Sequence, residues 1–541
     1  APTIELVVAR SPEALAATRE IFREYAQGLG IDLCFQNFEA ELQGLPGEYA
    51  EPGGVLLLAF VGWQRLHRGG APAADGSNAT RVMRNSVTPA SAQLIGRVVD
   101  FGFAIFTLRW LGPTDYGAYA FAVVLIGYFA IFTDYGLGTL TTREVARDPA
   151  QADRYFTNTV VARLALCVVL TPVLLAVAGA YHLWFGVEAS AVVAALLFMV
   201  SLVPSAVAGA ISSLFAAHQR MEYQAVMTVA TTVVRALLGL VALLAGTGVV
   251  GLATVSVVAS TFTAAAFWLL IQRSGFAPRF VLDVPFGRAM LRSATPLMLN
   301  NLLNSIFFRI DILVLQPIRG AESVAYYSTA YKFVDALLTV SSFFTLAFFP
   351  VMSQYARDNR PMLLRTYAQA LKGLLLLGLP IAVGTMYIAE PLIATFFGPE
   401  FGPAARALQL LVWFLPFSYI NGLTQYVLIA VDQQGYLTKA FMVAAVFNLG
   451  GNLLLVPALG MEGAALMTIA SEWVLMAPFL QGVWRHVGPL PVAAITVRPA
   501  LAAAGMAGVA QWSSLPPQDP SSNPAHNSFH YCECFLSHCM H

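Results

Sequence analysis

Twelve apolar stretches, each about as long as a bilayer is thick, constrain this chain more than any other feature. They fall at about 89–108, 118–140, 158–181, 189–215, 224–246, 249–271, 295–316, 324–350, 368–389, 405–430, 438–457 and 460–481. We number them spans 1 to 12. Roughly 20 apolar residues rising 1.5 Å each cross the hydrocarbon core. With no water there to satisfy the backbone, each span must be a helix. The fold class is therefore an all-α polytopic membrane protein. A weaker segment at about 491–511 reads as part of a thirteenth helix, 486–511. Composition agrees, since 57% of the 541 residues are hydrophobic and 11% charged, with a mean hydropathy of +0.67. A net charge of zero leaves no electrostatic footprint for nucleic acid.

The connections alternate in basic content. Arg143, Arg147 and Arg154, then Arg220, then Arg273, Arg279, Arg288 and Arg292, fall on one side. Only Arg109, Arg319 and Arg406 fall on the other. The positive-inside rule makes the first side, and the N-terminus with it, cytoplasmic. The spans also repeat. Residues 83–108 shifted by 207 positions reproduce Met83/Met290, Ser86/Ser293, Thr88/Thr295, Pro89/Pro296, Phe101/Phe308, Ile105/Ile312 and Leu108/Leu315. At a shift of 212, Pro204/Pro416, Gly248/Gly460, Gly251/Gly463 and Ala253/Ala465 coincide. Two parallel six-helix lobes follow, an N-lobe over 83–272 and a C-lobe over 290–485. A loop at 273–289 joins them, and a site is expected where the lobes meet.

Polar groups inside spans are the functional candidates, because intramembrane charge must be paired or put to use. Span 7 carries Asn300, Asn304 and Asp311 on one helical face, with Arg309 roughly opposite. Span 1 carries Gln93, Arg97 and Asp100 on one face, and Gln93 and Arg97 repeat the positions of Asn300 and Asn304. Arg163 of span 3 has a rough counterpart in Lys372 of span 9. Arg235 lies mid-span 5, and span 8 holds Tyr327, Tyr331 and Lys332. Together these predict a cation-lined cavity between lobes. Arginine forks onto phosphate oxygens, and amides and phenols suit sugar hydroxyls. A packing reading stands beside this one. It pairs Arg97 with Asp100 within span 1, lets Arg309 snorkel to the interface, and bonds Asp311 to a neighbouring helix. Glu472 and Trp473 read as packing or ion-coupling groups.

MRNSVTPASAQLIGRVVDFGFAIFTLRWLGPTDYGAYAFA (Met83–Ala122) resembles the opening of a polysaccharide-export flippase, with its R-N start and its R-x-L-G-P-x-x-Y-G-x-Y-A run. LRSATPLMLNNLLNSIFFRIDILVLQ (Leu291–Gln316) with VAYYSTAYKFVD (Val324–Asp335) resembles that family's second-lobe opening, and TDYGLGTLTTREVAR (Thr133–Arg147) its second cytoplasmic loop. The resemblance covers about 81–485. It implies the multidrug/oligosaccharidyl-lipid/polysaccharide exporter fold in a bacterial inner membrane. It also implies translocation of undecaprenyl-diphosphate-linked oligosaccharide to the outer leaflet by alternating access. Its implied partners are that lipid-linked glycan, membrane lipid and the polysaccharide polymerase or assembly proteins, with the carrier itself a monomer. A lipid II flippase and a cation-coupled multidrug exporter share the fold and stand as alternatives.

The two ends read differently. Residues 1–60 are acidic, with nine Asp or Glu against three Arg. Ser11–Pro12 caps a helix, Phe35, Phe38 and Leu42 suggest a second, and Val55–Phe60 reads as a buried strand. Glu20–Ala59 resembles the start of a GNAT-type acetyltransferase, so 1–62 is read as a truncated α/β segment and 63–82 as a linker. The family's Gly-rich acetyl-CoA loop is missing downstream, which argues against a membrane-tethered acetyltransferase. The tail 512–541 reads as disordered or spurious. Its His526, His530, Cys532, Cys534, His538 and Cys539 have spacing unsuited to structural zinc. With no P-loop, nucleophile–base pair or metal cluster, a transporter without cofactor or metal is expected, not an enzyme. Cysteines introduced within Arg143–Arg154 should be labelled only from the cytoplasmic side, and those within Tyr181–Glu188 only from outside. Labelling in the reverse sense would discard this orientation.

Overall fold

A computed structural model describes residues 4–8, 15, 18–19, 57–61, 76–274, 279–490 and 492–513. Two compact units divide the chain, Ala1–Val87 and Thr88–His541. In the first, strands β1 (Ile4–Val8) and β2 (Leu57–Val61) pair antiparallel with Leu6 opposite Ala59. The strand expected at 55–60 is thus present, shifted slightly along the chain. Leu15, Thr18 and Arg19 are helical, within the helix expected after Ser11. The rest of that helix, the one around Phe35–Leu42, nearly all of the acetyltransferase-like stretch and the tail after 513 lie outside the described residues.

The second unit is helical. Helix α1 (Gly76–Asp134) starts within the first unit's residues, and the second continues with α2 (Leu137–Arg147), α3 (Ala152–Phe185), α4 (Ala189–Ala217), α5 (Met221–Leu244) and α6 (Gly248–Arg273). The second lobe follows with α7 (Val284–Asp358), α8 (Arg360–Phe397), α9 (Ala404–Leu411), α10 (Phe414–Ala430), α11 (Gln434–Leu459) and α12 (Met461–His486). A further helix, α13 (Val492–Ser513), packs on α8. Helix α1 begins inside the stretch read as linker. Among the described residues nine helices are long and apolar enough to cross a membrane, and the bent pair α9–α10 makes a tenth. Two of these are double. Gly112 interrupts α1 at φ 71°, and Gly320 interrupts α7 at φ 79°. Asp311–Tyr327 and Arg309–Asp335 contacts bracket Gly320, so α7 doubles back there. Tyr116 and Tyr119 face the wall that holds Ala104 and Thr107, so α1 does the same at Gly112. Twelve passes result.

The duplication is written into the turns. Positive-φ positions recur as Gly112/Gly320, Gly186/Gly398, Gln219/Asp432 and Gly248/Gly460, separated by 208, 212, 213 and 212 positions. Prolines inside helices recur as Pro172/Pro380 and Pro204/Pro416. Where boundaries differ from the hydropathy reading, local chemistry explains it. Span 2 stops at Asp134 rather than about 140, because Tyr135 and Gly136 take positive φ and the Asp134 carboxylate accepts the Gly136 N–H. An amphipathic helix, α2, follows with Leu137, Leu140 and Val145 inward. Outward-facing Val168, Leu183, Trp184 and Leu454 are well exposed, as expected where the solvent is lipid. Small residues line the helix contacts instead, such as Ala191, Ala194 and Ala195 of α4 and Ala253 of α6.

At Gly320 the backbone lies at φ 79°, ψ −178°, and a methyl group added there would meet open space. Conformation alone therefore requires glycine at this position. Gly320→Ala should cost about 1–3 kcal/mol. Gly102→Ala, in mid-helix with nothing within 4 Å, should be neutral or stabilising. Thermal unfolding of the two variants in detergent checks the difference.

Candidate functional site

The two hairpins face each other. The second arm of α1 runs antiparallel to the first arm of α7. Gly117 lies at the Gly320 turn, against the Ala321 backbone, while along the first arm the Tyr128 hydroxyl donates to the Ser305 carbonyl at 3.0 Å and Gly136 packs on Leu297 and Met298. The other two arms meet where the Phe101 and Phe333 rings stand 5.6 Å apart. Between the arms lies a cavity in two joined parts, of about 250 and 300 Å³.

The cavity holds four cations, Arg97, Arg235, Arg309 and Lys332, and two carboxylates, Asp100 and Asp335. Arg235 of α5 donates to Asp100 of span 1 at 2.5 Å. Arg309 of span 7 donates to both Asp335 oxygens of span 8, at 2.9 and 2.8 Å, and its guanidinium lies 5.0 Å from the Tyr331 ring centre. Among the described residues neither Arg97 nor Lys332 has an ion-pair partner. Two cations are thus left over in a cavity between apolar helices. Arg97 is exposed and Lys332 half-buried, so both are open to an anion that enters between the helices.

Contacts join the lobes at both ends of the seam. At the Gly112 end Phe101 packs on Phe333, Phe396 and Phe397. There Arg109 donates to the carbonyls of Phe396, at 2.9 Å, and Thr395, which puts a cation on the C-terminus of α8. At the other end Leu137 and Leu140 share a core with Met290 and Ala294. Arg154 pairs with Asp283 there and lies over the Phe286 ring at 4.0 Å. The Phe286 N–H, and then Arg154, hold the Asp283 carboxyl below the usual carboxylate range. That support exists at neutral pH and is lost as pH falls through the carboxylate range.

The structure gathers only some of the expected residues. Arg97, Asp100, Arg235, Arg309 and Lys332 line the cavity. Arg97 does not pair with Asp100, because Arg235 from another helix takes that carboxylate. Arg163 lies elsewhere. It is buried at 4% exposure, donates to Asp134 and to the Ala206 carbonyl at 3.3 Å, and fills the space over Gly138 and Gly209. Asp311, 2% exposed, accepts from the Tyr327 hydroxyl and from the Ile312 N–H at 2.9 Å, and Tyr327 reaches Thr468 at 3.1 Å. Asp311, Tyr327 and Tyr331 are therefore C-lobe core. Gln93, Asn300 and Asn304 are exposed, Lys372 is half-buried, and none of these lines the cavity. Asp335, Tyr116, Tyr119, Ser305 and Ser328 line it instead. Tyr116 and Tyr119 stand in the G-P-x-x-Y-G-x-Y-A run itself, so the signal for them was present.

The model of the polysaccharide biosynthesis protein family matches residues 82–356, and the MatE model matches 296–454. The succinoglycan biosynthesis transport protein ExoT of Rhizobium meliloti is 25% identical over 62% of this chain and 66% of its own length. The probable low-salt glycan biosynthesis flippase Agl15 of Haloferax volcanii is 24% identical over 30% of this chain and 34% of its own. The matched stretches span from 30% to 66% of the length of the curated relatives. The lipid II flippase MurJ, in an inward closed conformation, superposes with a TM-score of 0.70 at 14% identity over 84% of this chain and 98% of that one. The fold is shared at that identity.

The Arg163–Asp134 pair gives a stability test. Asp134→Ala strands a buried guanidinium and should destabilise the protein by roughly 3–5 kcal/mol. Adding Arg163→Met should recover most of that loss. A double variant as unstable as Asp134→Ala alone would contradict the pairing.

Proposed function

Because the chain belongs to the polysaccharide biosynthesis protein family, we propose that it is a flippase moving a polyprenyl-diphosphate-linked oligosaccharide from the cytoplasmic to the outer leaflet of a bacterial inner membrane. The observation that carries this reading is the pair of unmatched cations, Arg97 and Lys332, beside Arg235 and Arg309. A diphosphate diester brings two negative charges, which balance the two left over. Arg97 and Arg235 are the donors for the phosphate oxygens, since a planar guanidinium forks onto two of them where an ammonium is a point charge. The polyprenyl chain stays in lipid, reached between the lobes, so the protein needs to shelter only the polar head.

Translocation follows from two seals that alternate. The Phe101 cluster and the Arg109 contact close one end of the cavity, and the packing of Leu137 and Leu140 on Met290 and Ala294 holds the lobes together at the other. Rocking about the arms of α1 and α7 exchanges which end is open. Lipid II carries the same diphosphate and would meet the same cations. A cationic drug would be repelled by them, which argues against the multidrug reading. The acetyltransferase-like segment at 1–62 is assigned no part in this cycle.

Arg97→Ala and Arg235→Ala should each cut binding of a polyprenyl diphosphate by about 10- to 100-fold, the worth of a charge-assisted hydrogen bond. They should abolish surface glycan while the protein still reaches the membrane. Normal glycan export by either variant would sink the assignment.

A further inference from the structure

The loop that joins the lobes is strapped to α3. Alternate residues of the loop turn their backbones to the first two turns of that helix. The Arg279 N–H donates to the Asp153 carboxylate at 3.1 Å, and the Thr157 hydroxyl donates to the Arg279 carbonyl at 3.2 Å. The Val281 N–H donates to the Thr157 hydroxyl at 3.1 Å, and the Asn158 amide donates to the Val281 carbonyl at 3.1 Å. The Asp283 N–H donates to the Asn158 side-chain oxygen at 3.1 Å. Three side chains of one helix thus stand in for the neighbouring strand of a sheet. Thr157 and Asn158 are buried, so water does not compete for these bonds, and the strap belongs to the N-lobe.

The apolar side chains of the strap are left facing out. Phe280 is 77% exposed, Leu282 50% and Val284 55%. Span 6 ends at about 271 and span 3 begins at about 158. A loop that follows the one and is bonded to Asn158 of the other lies at the boundary of the bilayer. Irregular backbone at that depth needs polar partners from within the protein, and Asp153, Thr157 and Asn158 supply them. Charge points the same way. Arg273, Arg279, Arg288 and Arg292 are exposed and have no ion-pair partner among the described residues. The carboxylates on the strap are Asp153, which takes the Arg279 N–H, and Asp283, which pairs with Arg154. Val284, Arg288 and Arg292 follow at four-residue intervals, on one face of α7. Apolar side chains among unpaired arginines make up a segment that lies in a membrane surface, and the arginines favour an anionic one. We propose that the strap is a docking site for anionic phospholipid of the leaflet that the basic loops mark as cytoplasmic. Phe280 and Leu282 sit among the upper acyl carbons, and Arg279 and Arg288 take the headgroup phosphate. A lipid held by both arginines bridges the strap, which belongs to the N-lobe, and α7, which belongs to the C-lobe. The inference stands whatever the cargo.

The test replaces Phe280 with the photoreactive p-benzoylphenylalanine in the full chain. The protein is placed in liposomes of equal phosphatidylglycerol and phosphatidylcholine, and mass spectrometry identifies what light attaches at that position. Phosphatidylglycerol adducts should outnumber phosphatidylcholine adducts by about 5-fold or more, the worth of one arginine at an anionic surface. Arg279→Gln together with Arg288→Gln should bring the ratio towards one, and raising the salt to about 1 M should narrow it. Absence of any lipid adduct puts the strap in water and overturns the proposal. Equal capture of the two lipids overturns it as well, as does attachment to a second copy of the chain in place of lipid.

Discussion

Charge placed among apolar helices must be matched or put to use, and six charges facing one cavity organise the seam between the lobes. Arg235–Asp100 ties span 5 to span 1, and Arg309–Asp335 ties the two arms of α7. Each pair lies inside one lobe and faces the other. Arg97 and Lys332 complete the set without partners among the described residues, and they sit on opposite lobes. An anion bound to both would cross the interface that has to rearrange during transport. The empty and loaded cavities therefore differ in net charge by the cargo's own charge.

The geometry that sets these charges opposite each other comes from two glycines. Gly112 and Gly320 take backbone angles that other residues adopt only under strain. Each folds a lobe-opening helix back on itself and sets a second arm against the first. Recurrence of positive φ at Gly186/Gly398, Gln219/Asp432 and Gly248/Gly460 extends the same device through both lobes. The lobes have since diverged inside. The C-lobe holds Asp311, Tyr327 and Thr468 in its core, together with Asn421 donating to Glu472 at 2.5 Å. The N-lobe uses Arg163 and Asp134.

Most of the fold was legible because its cause is local. Span length, proline and glycine positions and basic loops are properties of short windows, and they gave twelve passes and a duplication. Membership of the cavity is not local. Mid-span position told that Arg163 and Arg235 were both unusual, yet not which way each faced. Arg163 turns inward to Asp134, 29 positions away, while Arg235 turns to Asp100, 135 positions away. The repeat made Asn300 and Asn304 look like a cavity wall by analogy with Gln93 and Arg97. Of those four only Arg97 lines the cavity, since the wall forms higher along the arms, at Ser305 and Arg309. Asp335 was visible three positions after Lys332, but its importance lies in closing a hairpin onto Arg309.

The central claim is that this cavity carries a lipid-linked diphosphate across the bilayer. Proteoliposomes containing the full chain and a polyprenyl-diphosphate-linked oligosaccharide test it most directly, with transfer between leaflets read by exposure of the glycan to a membrane-impermeant hydrolase. The account predicts saturable, protein-dependent transfer that excess polyprenyl diphosphate inhibits and the uncharged polyprenol does not. Equal inhibition by polyprenol, or no transfer above protein-free liposomes, would contradict it.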